Sequence, residues 1–395
     1  MQGLLNNCIS LKRVDSGLCV TGRDGHDIGE RKRSCMAMNR TLWFGCALVV
    51  AGVLAALPGC SKKPAGSFKK EYRMQVTVGP QAYWGMGAAR FADLVREKTG
   101  GRINVKPYFG SQLLKGAQLH SAQMVSSGAI DLAFESTINA SPAIPEMNVF
   151  SLPFFVKTYE RLDRLEQGET GRLIFEAMKK KKLMPLAWGE NGFRQLTNSK
   201  RAVRRPEDLQ GLKIRVVGTE IFVDIFRGLG ADPINMNWGD AVTAFQQNTV
   251  DGQENPVSIL NNVQIFQFQT HLTIWNYVVD PLILYWCKKE WDAFPEDIQS
   301  AIRAAAEEAG RYEKALCRAG LDGAVSLNVL RDEFHEPIEI PDPLRRLEEN
   351  GMTVSRLTDE EISLFEAATR PVLNAWITRV GETVYQAALR DMGVP

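Results

Sequence analysis

From position 72 onward, short apolar runs alternate with amphipathic stretches about a dozen residues long, and few folds accommodate that alternation. YRMQVTV (72–78) alternates apolar and polar residues and stops at Gly79-Pro80, as a half-buried strand does. A helical stretch follows with Phe91, Leu94 and Val95 on one face, and Gly100-Gly101 end it before a second strand, RINVKPY (102–108). Helix is expected over 115–127 and strand over AIDLAF (129–134). The pattern resumes with strands at KLMPLAW (182–188) and LKIRVV (212–217), and a helix over 220–228. A run from Trp238 to Asn248 gathers Ala241, Val242, Ala244 and Phe245 on one face. From Pro295 the chain turns alanine- and glutamate-rich and reads as long helices, with Thr358-x-x-Glu361 a capping box. Strands separated by helices imply parallel β-α-β units, so the fold class is α/β: two lobes followed by helices.

The ends and the composition narrow the function. With 395 residues, 45% of them hydrophobic, the chain is long enough for two or more domains. A net charge of +1 without a long basic tract sets nucleic acid aside, because phosphate binding needs concentrated lysine and arginine. At the N-terminus, RKRSCMAMNR (31–40) is basic, TLWFGCALVVAGVLAAL (41–57) is uncharged and mostly apolar, and PGC follows, the pattern of an export signal. Leu57-Pro58-Gly59-Cys60 resembles the bacterial lipoprotein signal, in which cleavage frees a cysteine that carries lipid, although Pro58 departs from the usual small residue. Residues 1–35 match no targeting pattern, and Met36 and Met38 stand where such a signal would begin, so residues 1–60 read as a spurious extension plus a lipoprotein-type signal peptide. A polar linker, 61–71, follows. Five of the seven cysteines lie in or before this signal; Cys287 and Cys317 remain and are expected to be unpaired.

Catalytic and cofactor motifs are missing. Gly85-x-Gly87-x-x-Arg90 imitates a dinucleotide fingerprint, but its third glycine is arginine and no acid ends the second strand. No phosphate loop, H-E-x-x-H or G-x-S-x-G occurs, and His26, His120, His271 and His335 are scattered singly, so neither a cofactor nor a metal is expected. What stands out is Arg215 inside an apolar strand, where a charge must be paired, lie at a sheet edge or face a cleft. Arg194 follows Glu190-Asn191-Gly192-Phe193 in a loop after the strand 182–188. Two arginines meeting in a cleft would suit a carboxylate, since the planar guanidinium donates in a fork. VDGQENP (250–256) reads as a turn whose polar side chains are either solvated or functional.

These residues sit in blocks with a recognisable order. VREKTGGRINVKPY, GSQLL, SSGAIDLAF, FSLPFF, GFRQLTNSKRAVRRPEDLQGLKIRV, LGADPINMNW and VDGQENP together resemble the substrate-binding subunit of TRAP (tripartite ATP-independent periplasmic) transporters, the DctP family of dicarboxylate-binding proteins. The resemblance covers roughly residues 72–330. It implies a two-lobed periplasmic solute-binding fold with a hinge and a long connecting helix, closing over one small organic acid that is handed to a membrane permease. Lobe I is expected over 72–190 and 280–319, and lobe II with the C-terminal helices over 191–279 and 320–395. By resemblance Arg215 makes the main carboxylate salt bridge, Arg194 and Asn255 assist, Trp238 lies against the ligand, and Glu135 and Trp84 are first-lobe positions that vary with substrate. Gln253 and Glu254 are left to structure. Arg194 paired with Glu190 at the surface, and Trp238 as a core residue at a helix start, are the competing readings. The protein is therefore expected to be periplasmic, lipid-anchored through Cys60, and not an enzyme. The rivals are a sensor presenting its ligand to a receptor, or an enzyme using Glu135 or Glu190 as a base.

Overall fold

The computed structural model describes residues 68–336 and 342–394; the signal sequence, Cys60 and most of the linker lie outside the described residues. Strands β1 (Tyr72–Gln75), β2 (Val105–Tyr108) and β3 (Leu132–Ser136) run parallel in the order β2-β1-β3. After the long β4 (Leu183–Asn198), strands β5 (Lys213–Val216), β6 (Asp232–Asn235) and β7 (Gly252–Pro256) repeat that arrangement as β6-β5-β7. Strand β8 (His271–Ile274) pairs with β4 and with β10 (Thr353–Arg356), and β9 (Val279–Cys287) lies between β3 and β4. The parallel β-α-β units of the sequence are thus present twice.

The antiparallel strands β4 and β9 join them. β9 pairs with β3 from Leu132↔Trp286 to Ser136↔Leu282, and β4 follows β9 as far as Phe193↔Val279. From Arg194↔Pro256 onward, β4 pairs with β7 instead. A β-α-β crossover returns the chain to its own sheet; a strand that runs out of one sheet into the next is what links two of them. The sequence pattern showed only the first half of β4, because Glu190-Asn191-Gly192 interrupts the apolar run where the strand crosses over. The ladder has a bulge there between Glu190 and Gly192, and Gly192 adopts φ 110°, which a side chain would disfavour.

The helix Glu296–Arg318 backs this junction. Its Ile298, Ile302, Ala305, Ala309, Tyr312 and Leu316 form a buried stripe at helical spacing, packed on β4 and on the helix Tyr83–Lys98. The approach is close: a Cβ on Gly310 would lie 2.3 Å from Trp188 O, and one on Gly87 would lie 2.5 Å from Glu313 Cβ. Gly87 of the fingerprint-like stretch therefore serves helix packing. Phe91, Leu94 and Val95 are buried as their spacing predicts.

Three local expectations differ. The helix over 115–127 is reduced to Ser121–Ser126 preceded by two 3-10 turns, because Lys115 and Gly116 both take positive φ. VDGQENP is a turn only up to Asp251; β7 is a wholly buried strand between β4 and β5. Its polar side chains tolerate burial because they are partnered: Gln253 Nε2 donates to Thr197 Oγ1 at 2.7 Å, and Gln253 Oε1 accepts from Asn255 Nδ2 at 2.5 Å. At the end of the expected linker, Phe68 packs on Phe294 and Lys69 pairs with Asp131 and Glu290, so residues 68–71 are seated on the body.

Other details follow the sequence. Thr358 and Glu361 form the capping box reciprocally, at 3.2 Å and 2.9 Å, and Cys287 and Cys317 are buried and unpaired. The capped helix, Asp359–Val380, packs on Glu220–Gly228. The last helix, Glu382–Met392, turns back onto Tyr159–Gln167 and Glu169–Lys180, where Asp391 accepts the N–H groups of Glu169 and Thr170.

Candidate functional site

The C-terminal ends of β1, β3 and β5 converge with β7 and the crossing segment of β4 on one small cleft, the position at which open α/β sheets bind ligands. Arg215 sits in its wall and is 1% exposed. Nε and Nη2 both donate to Met236 O, at 3.0 and 2.7 Å, and the guanidinium has no ion pair among the described residues. Of five N–H groups, three remain to donate. Burial pushes its pKa down to about 10, with Glu254 opposing and Arg194 adding to the shift, so at neutral pH it is still a cation. Of the three options the sequence left for this residue, the structure selects the cleft.

Arg194 is bound differently. Its Nε and Nη2 fork onto the Glu254 carboxylate, Nη1 donates to Asp280 Oδ2 at 3.0 Å, and Nη2 also reaches Asn255 Oδ1 at 3.1 Å. Burial disfavours the cation, but Glu254 and Asp280 outweigh it and hold its pKa above the usual value. Tyr277 Oη donates to Glu254 at 2.6 Å, and Ser136 Oγ and Asn191 Nδ2 donate to Asp280 at 2.5 and 2.8 Å. Burial also raises the Asp280 pKa, against the pull of Arg194. Arg194 thus has its charge matched by protein carboxylates and keeps about one N–H for anything else.

The alternative pairing of Arg194 with Glu190 does not form. Glu190 is fully buried and accepts from Arg318 Nε and Nη2 at 2.9 and 2.6 Å, while Glu313 Oε2 accepts the Glu190 N–H at 2.7 Å. Arg318 continues to Asp163, and Lys314 joins Asp163 to Glu166. Glu190 therefore ties β4 to the long helix behind the cleft, which leaves it unable to serve as a free base.

The opposite wall comes from segments that follow β1, β2 and β3. Trp84 is 4% exposed, lines the cleft and is held by its Nε1–H on Phe134 O at 2.8 Å. Gln118 and Asn139 are joined by a 2.9 Å side-chain hydrogen bond, and Gln118 Oε1 accepts the backbone N–H of Trp238 at 2.9 Å. That bond joins the segment between β2 and β3 to the segment after β6. The Trp238 ring stands 5.6 Å from the Arg215 guanidinium and 6.3 Å from Phe245, so it is both cleft wall and helix-start packing. Between these walls the cleft is narrow, with a cavity volume of about 30 Å³.

Arg215, Arg194, Asn255, Trp238 and Trp84 are brought together here. Glu135, expected beside them, stands behind the wall. It is fully buried, accepts from Tyr285 Oη at 3.0 Å and neighbours Asn139, and burial raises its pKa to about 8. Thr77, Gln118, Ser136, Asn139 and Asp280 line the cleft without having been expected to. Asp280 carried a signal of the kind that marked Arg215: a lone charge in an apolar strand, VVDPLILYW.

Residues 74–326 match the family described as bacterial extracellular solute-binding protein, family 7, DctP. The chain belongs to this family. Among solved structures, a TRAP periplasmic solute-binding protein from Ralstonia eutropha H16 with bound (S)-2-hydroxy-2-methyl-3-oxobutanoate is 39% identical, with a TM-score of 0.77 over 82% of this chain and 99% of its own. The 2,3-diketo-L-gulonate-binding periplasmic protein of Escherichia coli K12 is 30% identical over 68% of this chain and 80% of its own length. The C4-dicarboxylate-binding periplasmic protein DctP of Rhodobacter capsulatus is 28% identical over 78% and 86%. This family 7 chain is accordingly a solute-binding protein of the TRAP class with the two-lobed α/β fold, and not an enzyme. Among its described residues no helix is long and apolar enough to cross a membrane.

Proposed function

We propose that this protein captures a small organic acid between its lobes, with the ligand carboxylate on Arg215, and delivers it to the permease of a TRAP transporter. The observation that carries the reading is Arg215 itself, a buried cation facing the cleft with three N–H groups to spare and no ion pair among the described residues. Such a group is costly unless a partner arrives. Arg194 and Asn255 assist with one donor each at most, and Trp84 and Trp238 set the shape. The lobes divide at 190/191 and 279/280, near the bulge at which β4 changes partners. Export through the N-terminal signal and a lipid on Cys60 would keep the protein in the periplasm, tethered to a membrane.

Closure lowers the free energy only when the ligand binds the closed state better than the open one, and the closed state is what a permease can read. Thermal unfolding of residues 61–395 against a library of organic acids tests the reading. Ligand at a hundredfold excess over Kd adds about 2.7 kcal/mol of stability. A shift for one class of acid that vanishes in Arg215→Ala supports it, and a shift retained in that variant refutes the role of Arg215.

A further inference from the structure

Resting on the carboxylate role of Arg215, we infer that the site takes an acid with a single carboxylate whose uncharged remainder carries a hydroxyl or oxo oxygen for Thr77, and that Asp280 turns away a second carboxylate. The charges at the cleft carry the first half. Its lining holds two cations, Arg194 and Arg215, and one carboxylate, Asp280; Glu254, forked onto Arg194, adds a second. Both carboxylates pair with Arg194, and the four charges already sum to zero. One ligand carboxylate finds three N–H groups on Arg215, but another would find a single N–H of Arg194 and the Asp280 carboxylate beside it. Like charges that close, away from water, repel strongly.

The neutral groups carry the second half. Thr77 lines the cleft, is 5% exposed, and its Oγ1 has no hydrogen-bond partner among the described residues. A buried hydroxyl left unpaired is costly, and a ligand hydroxyl or oxo oxygen would satisfy it. Gln118, Asn139 and Ser136, also in the lining, are neutral, while Val78, Val217 and Ile259 suit an aliphatic portion. The relatives bind acids of both kinds, one a hydroxy-oxo monocarboxylate and another a C4-dicarboxylate, so the family alone does not choose between them.

The test is calorimetric titration of residues 61–395 with 2-hydroxy-2-methyl-3-oxobutanoate and with 2-hydroxy-2-methylpropanedioate, in which a carboxylate oxygen replaces the acetyl methyl. Glycerate and 2-hydroxypropanedioate form a second pair. The monocarboxylate of at least one pair should bind about 100-fold more tightly than its dicarboxylate. Asp280→Asn should narrow that gap to about tenfold or less, and Thr77→Val should weaken the monocarboxylate about tenfold. The wild-type comparison needs no variant to fold. Affinities within threefold in both pairs, or a tighter dicarboxylate, overturn the inference. If Arg215→Ala abolishes binding of both members of a pair that the wild type fails to discriminate, only the single-charge inference falls. Should Arg215→Ala leave binding intact, or should neither monocarboxylate bind, the carboxylate reading falls and takes this one with it.

Discussion

The backbone N–H of Trp238 donates to Gln118 Oε1 at 2.9 Å, across 120 positions of sequence and from one wall of the cleft to the other. Both residues line the cleft, so moving its two walls apart would break this bond. Gln118→Ala removes an interaction that favours the closed state without touching Arg215. Its expected cost is that of one hydrogen bond, about 0.5–1.5 kcal/mol, or roughly a 2- to 13-fold loss of ligand affinity by calorimetry. Unchanged affinity would mean that the bond does not contribute to closure.

Arg215 should affect binding and stability in opposite directions. Arg215→Ala is expected to lose about 3–5 kcal/mol of ligand binding, because it leaves a buried carboxylate unpaired. Arg215→Met keeps much of the volume and removes an uncompensated buried cation, so the ligand-free protein should melt higher than wild type. Affinity retained within about threefold, or a Met variant that melts lower, contradicts the role assigned here.

For Arg194 the effect should fall on stability. Glu254→Ala strips a buried guanidinium of its forked partner and should destabilise the protein by about 3–5 kcal/mol in urea unfolding. The surface pair Arg379–Glu220, with both side chains more than half exposed, provides the contrast. Arg379→Ala should cost less than about 1 kcal/mol.

Glu135 gives a pH dependence. Its pKa lies near 4.5 in the unfolded chain and at about 8 in the folded protein, where burial disfavours the charge. The folded state therefore holds this proton more tightly, and the contribution of Glu135 to stability falls as pH rises from about 4.5 to 8 and is flat above. Glu135→Gln mimics the protonated acid. It should match wild type near pH 4.5 and exceed it by on the order of 2–4 kcal/mol above pH 8, measured by denaturant titration at each pH. Parallel stability profiles would show that Glu135 does not titrate in this range.

Legibility in the sequence depended on how unusual a residue was for its setting. Arg215 stood out because a charge inside an apolar strand demands a partner. Applied throughout, the same argument picks out Asp280 in β9, which closes the ion network around Arg194. Thr77, Gln118 and Asn139 gave no such signal, since uncharged hydroxyl and amide side chains are commonplace along any chain. Glu135 was named by resemblance alone, and its side chain is bonded to Tyr285 behind the cleft wall. A strand's alternation names a face without saying how far a side chain reaches.

Local patterning fixed what is local: the repeated parallel units, the stripe of Glu296–Arg318, the capping box at Thr358, and the family to which seven ordered blocks assign the chain. These depend on spacing along the chain, where propensity and periodicity act. The tertiary fold decided which charges meet. Arg194 and Arg215 are equivalent as guanidiniums, but only the first lies where Glu254 and Asp280 can reach it. That difference arises at the point where β4 exchanges β9 for β7, a pairing between segments far apart in sequence, and it leaves one cation committed to the protein and the other to its ligand.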